Sequence, residues 1–237
     1  GKPELKGLKR LEEGRDMDEW YLREWAGVDP ANGSPLWYTT DENGKRTTTD
    51  SYNKADRVYC GSAAPKFTGG WMNSFSYKGF TLTANFDFVY GNLLYNQSRE
   101  LLDSDGAYAD YNSMKLKSGW KRWEKEGDIA THPKAINGGN KNSNKSSSRY
   151  LEKGNYFSLR NLSLGYSIPE KLCGKLGLQR VNVSCSADNL FTLTPFSGVS
   201  PQLSDSSTDG YAGTIYPLSR RIVLGLNVRS EERRVGK

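Results

Sequence analysis

KFTGGWMNSFSYKGFTLTANFDFVYG, residues 66–91, is the stretch whose reading decides the fold. In its second half Phe80, Leu82, Ala84, Phe86, Phe88 and Tyr90 fall on one side of a period of two. Thr81, Thr83, Asn85 and Asp87 fall on the other. Successive side chains of a strand point to opposite faces, so this spacing predicts a strand with one apolar and one polar face. In the first half Phe67, Gly69, Trp71, Phe75 and Tyr77 share a face. Lys78-Gly79 stands between the halves, with glycine where a tight turn needs positive φ, and the pair reads as a β-hairpin.

The same alternation recurs on both sides of the hairpin. Leu162, Leu164, Tyr166 and Ile168 alternate with Asn161, Ser163, Gly165 and Ser167 as far as Pro169, which cannot continue a ladder. After the connection EKLCGKLGLQ (170–179), which holds a short helical turn, Val181, Val183, Cys185 and Ala187 alternate with Asn182, Ser184, Ser186 and Asp188. Ile222, Leu224, Leu226 and Val228 then alternate with Val223, Gly225 and Asn227. Nearer the N-terminus, EWYLREWAG (19–27) and SPLWYTT (34–40) read as a pair joined by turn residues, bringing the expected strands to seven.

The connections between these strands are sorted. Short joins alternate with long ones, the long ones covering about 40–65, 92–149 and 193–216. Outer-membrane barrels sort their connections in this way, with short periplasmic turns and long extracellular loops. The polar faces carry Thr, Asn, Ser and Asp, where a solvated sheet carries Lys and Glu. Rings gather near strand ends at Tyr77, Phe80, Tyr90 and Tyr166, as in interfacial girdles. A half-buried soluble sheet alternates similarly, so a carbohydrate-binding β-sandwich stays open as an alternative, as does a plain diffusion porin.

Composition fits many strands with polar connections. The 237 residues are only 35% hydrophobic but 12% aromatic, with 14 Tyr and 6 Trp, which argues against disorder. Mean hydropathy is −0.73, low for a packed soluble core. No apolar run approaches the roughly 18 residues of a spanning helix, which leaves barrel strands untouched as a possibility. Cys60, Cys173 and Cys185 are odd in number and far apart, arguing against both a disulfide framework and a metal site. The chain opens at Gly1 without Met or an apolar leader, so either a signal was removed or the chain is a piece of something longer.

GSAAPKFTGGWMNSFSYKGFTLTANFDFVYGNLLYN (61–96) resembles a stretch near the end of the SusC/RagA-type TonB-linked outer-membrane transporters. So do RYLEKGNYFSLRNLSLGYSIP (149–169), ADNLFTLTPFSGVSPQ (187–202), YPLSRRIVLGLNV (216–228) and EWAGVDPANGSPLWY (24–38), in the family's order. The resemblance implies an all-β fold: about seven strands of an antiparallel transmembrane barrel of 22 strands whose lumen holds a separate plug. Long extracellular loops with a short helix complete the expectation. It further implies import driven by the TonB complex through an N-terminal region that nothing here matches, with a SusD-like lipoprotein partner and an oligosaccharide or peptide as substrate. The polar face would contact the plug, and the localisation would be the outer membrane of a Gram-negative cell.

Chemistry-bearing motifs are few. His132 stands alone beside Pro133 and reads as a solvated surface residue, and Asp103 and Asp105 in DSDG read as a polar turn without the rest of a calcium loop. No HExxH, GxSxG or P-loop is present, so no enzyme, no cofactor and no metal are expected. The net charge of +6 is spread over clusters such as KGLKR and KRWEK without a nucleic-acid-binding motif, so no nucleic-acid partner is expected. Substrate-contact candidates are Tyr108, Tyr111, Trp120 and Trp123, rings set among charges in the longest connection, where exposed faces can stack on sugars. The alternative for these rings is a short helix that folds the tryptophans onto the barrel rim.

Expected to face membrane lipid are Phe80, Leu82, Phe86, Phe88, Leu162, Leu164, Tyr166, Val181, Val183, Ile222, Leu224, Leu226 and Val228. The family's last strand usually ends on an aromatic residue, which the apolar series would place at Ser230, where charged residues follow instead. Under the genetic code AGATCGGAAGAGCGTCGTGTAGGGAAA would translate to residues 229–237, and that string resembles a sequencing-library adapter. Residues 1–228 are therefore read as the C-terminal part of the barrel and 229–237 as a non-native tail.

Overall fold

The computed structural model describes residues 2–111, 113–175, 177–203, 210–213 and 215–230. The first strands are β1 (Glu4–Lys6), β2 (Lys9–Leu11), β3 (Glu19–Arg23), β4 (Trp25–Val28), β5 (Pro35–Thr40), β6 (Arg46–Thr49) and β7 (Arg57–Ser62). Next come β8 (Phe67–Tyr77), β9 (Phe80–Tyr90), β10 (Leu93–Asn96), the helix α1 (Ser98–Leu102) and β11 (Leu151–Lys153). The last are β12 (Tyr156–Ser167), helix α2 (Glu170–Lys175), β13 (Leu178–Leu193), β14 (Tyr211–Ala212) and β15 (Arg221–Ser230). The chain is thus mostly strand, with antiparallel sheets and little helix. It divides into a sheet unit of Phe67–Tyr90, Tyr156–Thr194 and Pro217–Lys237, and a loop unit of Gly1–Lys66, Gly91–Asn155 and Pro195–Tyr216.

The sheet unit holds five long strands in the order β15-β13-β12-β9-β8. The expected hairpin forms, with Tyr77 opposite Phe80 and Phe67 opposite Tyr90. Its turn needs glycine: Gly79 has φ +87°, and a Cβ there would stand 2.7 Å from the Ser167 carbonyl oxygen. One register row crosses every strand as Phe75, Leu82, Leu164, Cys185 and Leu224. The next row is Ser76, Thr81, Gly165, Ser184 and Gly225. One face is therefore mainly apolar and the other mainly polar, with Asn73 on the first and Met72, Val89 and Val223 on the second. A bulge at Arg160 shifts β12 against both neighbours between Leu159 and Asn161 without exchanging the faces.

The apolar face is open. Leu224 is 80% exposed, Leu226 70%, Trp71 60% and Phe75 63%, which are values of a surface and not of a core. A β-sandwich buries its inner face against a second sheet, and no second sheet covers this face among the described residues. Phe86, Phe88 and Leu162 are half-buried by neighbours on the same face, with Phe86 and Phe157 stacked at 5.3 Å between centroids. Val181 departs from the expected exposure: it is buried, at the end of β13 against which α2 packs with its inward Cys173. On the polar face Asn161 donates to Asp188 at 2.8 Å, and the Arg221 guanidinium lies 2.9 Å from the same carboxylate.

Five long strands, not seven, make this sheet, because the N-terminal pair folds elsewhere. EWYLREWAG breaks at Glu24 into β3 and β4. β3 pairs with β2 and β7, while β4 forms the expected hairpin with β5, extended by β6. Both pieces belong to the loop unit. That unit has its own core, in which Trp20, Leu22, Ala63, Tyr95 and Tyr150 are buried against Tyr211 and Leu93. β14 joins β10 in parallel, and β11 flanks β10 on the other side. At the start of the expected tail, Arg229 and Ser230 continue β15 opposite Arg180 and Leu178; residues 231–237 lie outside the described residues.

Candidate functional site

Within the loop unit, the turn after α1 carries two carboxylates inward. Asp105 takes φ +52° and Gly106 φ +88°, and a Cβ on Gly106 would stand 2.4 Å from the Ile136 carbonyl oxygen. This tight reversal leaves Asp103 1% and Asp105 2% exposed. DSDG is thus a turn, as read, but a buried one.

Three guanidinium groups converge on these carboxylates. Arg99, one helical turn before Asp103, donates to its Oδ2 from Nη2 at 2.8 Å, and Arg149 Nη2 lies 3.3 Å from its Oδ1. Asp105 accepts from Arg122 Nη1 at 2.7 Å, from Ser143 at 2.7 Å and from both terminal nitrogens of Arg149. Arg99 also bonds Glu152 at 3.0 Å, and Glu152 in turn accepts from the Ser197 hydroxyl and amide. Three arginines thus face three carboxylates, and the buried charges balance. Such pairs hold their geometry because removing one partner strands the other, at about 3–5 kcal/mol.

His132 corrects the sequence reading. Far from being solvated, it is 1% exposed, and its Nε2 lies 3.0 Å from Asp103 Oδ2 while Nδ1 lies 2.8 Å from the Thr131 hydroxyl. Burial works to raise the Asp103 carboxyl, but the His132 hydrogen bond and the charges of Arg149 and Arg99 outweigh it and hold it down at about 2. The network ties together residues from 99 to 197, spanning two of the unit's three chain segments. It fixes a surface; its carboxylates are spent on guanidinium groups.

The structure separates the four ring candidates. Tyr108 and Tyr111 are 39% and 56% exposed and meet edge to face at 5.7 Å, with Asn144 donating to the Tyr108 hydroxyl at 3.2 Å. Trp120 lies over the Arg99 guanidinium at 4.4 Å and beside the His132 ring at 5.0 Å. Trp123 is 7% exposed, with its indole N–H donating to the Pro30 carbonyl at 2.9 Å and Gly33 close against its ring. Trp123 is therefore packing, and no helix carries the tryptophans. Beside Arg99 opens a groove of about 380 Å³ walled by Leu102, Met114 and Val199, with Ser98 and Ser197 at its polar side. The groove and the tyrosine pair are two exposed features of the loop unit suited to a ligand with both apolar and polar parts.

A two-faced antiparallel sheet whose long connections all leave from one end is the pattern from which outer-membrane barrels are built. No protein-family model matches the chain. Among curated proteins it is 32% identical over 179 residues to TonB-dependent receptor P39 of Formosa agariphila, covering 73% of this chain and 17% of that protein. It is 29% identical over 245 residues to TonB-dependent receptor P3 of the same organism, covering 92% and 23%. Among solved structures it is similar to the RagAB peptide importer in its closed-closed state, with TM-score 0.75 and 27% identity over 95% of this chain and 24% of that one. A second RagAB peptide transporter structure gives TM-score 0.76 and 26% identity, over 94% and 24%. The chain is homologous to the TonB-dependent receptors, in the SusC/RagA branch that its motifs resemble. It spans about a fifth of the length of these relatives.

Proposed function

We propose that the chain is the C-terminal barrel portion of an outer-membrane TonB-dependent transporter, a gate and scaffold for nutrient import that carries out no catalytic step. The observation that carries this reading is the open apolar face of the five-stranded sheet, backed by a polar face of Thr, Ser, Asn and Asp. In water, so large an apolar surface would be an aggregation site; in a bilayer it is the required outer surface. The five strands would be part of a closed barrel of 22 completed by the rest of a longer polypeptide. The long connections would be extracellular loops, and the polar face would line the lumen against a plug.

TonB would supply the energy through a segment outside this chain, and a SusD-like lipoprotein would serve as partner. Likeness to RagAB, described as a peptide importer, favours peptides over oligosaccharides as substrate. Expression of the full-length gene tests the reading. The product should fractionate with the outer membrane, require detergent for extraction, co-purify with a lipoprotein, and support peptide-dependent growth that is lost when tonB is deleted. Extraction by buffer alone would overturn it, and uptake independent of TonB would favour a diffusion porin.

A further inference from the structure

On the apolar face of the sheet, side-chain size changes from strand to strand. β13 presents Val183, Cys185 and Ala187, while its neighbours present Leu162, Leu164 and Tyr166 on one side and Ile222, Leu224 and Leu226 on the other. A low floor between two tall ridges makes a channel along β13, and a groove of about 410 Å³ lies there, with Phe80 extending one wall. At one end the channel stops: Val181 is the only buried residue of β13, and α2 packs against that strand. α2 carries Lys171 and Lys175, both exposed and without a carboxylate partner among the described residues. Lys78 stands in the adjoining turn, its ammonium over the Tyr77 ring at 5.1 Å.

We propose that this channel holds one acyl chain of an anionic phospholipid, with the phosphate held by Lys171 and Lys175. The inference rests on the membrane reading above and goes beyond it to a fixed lipid site. The low floor from Val183 to Ala187 spans roughly 13 Å at a rise of about 3.3 Å per residue, or about 10 Å along the membrane normal at a tilt of about 40°. That lies within the depth of a single leaflet of the ~30 Å hydrocarbon core. The cations then fall at the interface on the side of the short turns, where they attract a negative headgroup. A zwitterionic lipid would fit the channel equally but gain nothing from the lysines.

The test is the count and class of phospholipid retained by the detergent-extracted full-length protein, read by native mass spectrometry after exchange into equal phosphatidylglycerol and phosphatidylethanolamine. The channel-filling variant Cys185→Trp should lose one retained phospholipid, and Leu193→Trp, on the same face but outside the channel, should not. Lys171→Gln with Lys175→Gln should reduce the preference for phosphatidylglycerol by on the order of tenfold. Equal retention in all variants, or no headgroup preference in the parent, would overturn the site while leaving the membrane reading intact. Extraction without detergent would remove both.

Discussion

Protonating Asp103 would leave Arg99, Arg149 and the His132 ring facing a neutral acid in a place that water does not reach. Its carboxyl sits at about 2, below the ordinary value of 3.8. A depressed carboxyl stabilises the fold fully above the unfolded value and loses that contribution as pH falls through the folded one. The shift corresponds to roughly 2–3 kcal/mol. The loop unit should therefore hold its stability down to about pH 4 and weaken between pH 4 and 2, and Asp103→Asn should remove most of that dependence. Thermal unfolding of the full-length protein across this range would check it. Trp123→Ala should cost about 3–5 kcal/mol by cavity formation. Tyr111→Ala should leave stability within about 0.5 kcal/mol, as surface changes do, and weaken ligand binding. Unchanged affinity in the tyrosine variants, by calorimetry, would remove that pair from the site.

Elements divide sharply in how far the sequence reveals them. The hairpin at 66–91 and the strands β12, β13 and β15 can be read directly, because each obeys a period of two. EWYLREWAG reads as one barrel strand because its aromatic and aliphatic residues suit a strand. What places β3 in the loop unit is the burial of Trp20 against Tyr95 and Tyr211, far away in sequence, while β4 follows its partner β5, whose buried Trp37 packs on Trp25 and Tyr52. The ionic network was illegible for the same reason. Only the spacing of four between Arg99 and Asp103 is local; Arg122, His132 and Arg149 reach the site by folding. A local prediction follows for the turn between β8 and β9. Gly79→Val would bring a Cβ to the Ser167 carbonyl at a left-handed φ, and should destabilise by about 1–3 kcal/mol, seen as a lower yield of folded protein in the outer membrane.

For the whole molecule, what matters is what the sheet lacks. β8 and β15 are its two edges, each pairing on one side only among the described residues. In hydrocarbon, unpaired backbone groups are severely penalised. The 237-residue chain alone should therefore fail to give a heat-modifiable, membrane-integrated species on gel electrophoresis, whereas the full-length transporter should give one. A shifted, detergent-resistant band from the isolated chain would contradict this. The loop unit pairs its strands within itself, in one four-stranded and two three-stranded sheets among the described residues, and carries a balanced set of buried charges.

One hydrogen bond sets a timetable. The Leu8 amide donates to the Tyr211 hydroxyl at 3.1 Å across 203 residues, and Tyr211 rests against Trp20 and Tyr95. The loop unit is thus stitched from the beginning, middle and end of the chain, and its core cannot close until nearly all of it has been made and delivered. Contacts so distant in sequence form slowly. Until they form, the segment around Trp20 must wait with its indole uncovered, a client for whatever escorts unfolded protein to its destination. In pulse-chase experiments protection of Trp20 from protease should therefore be among the last events of assembly.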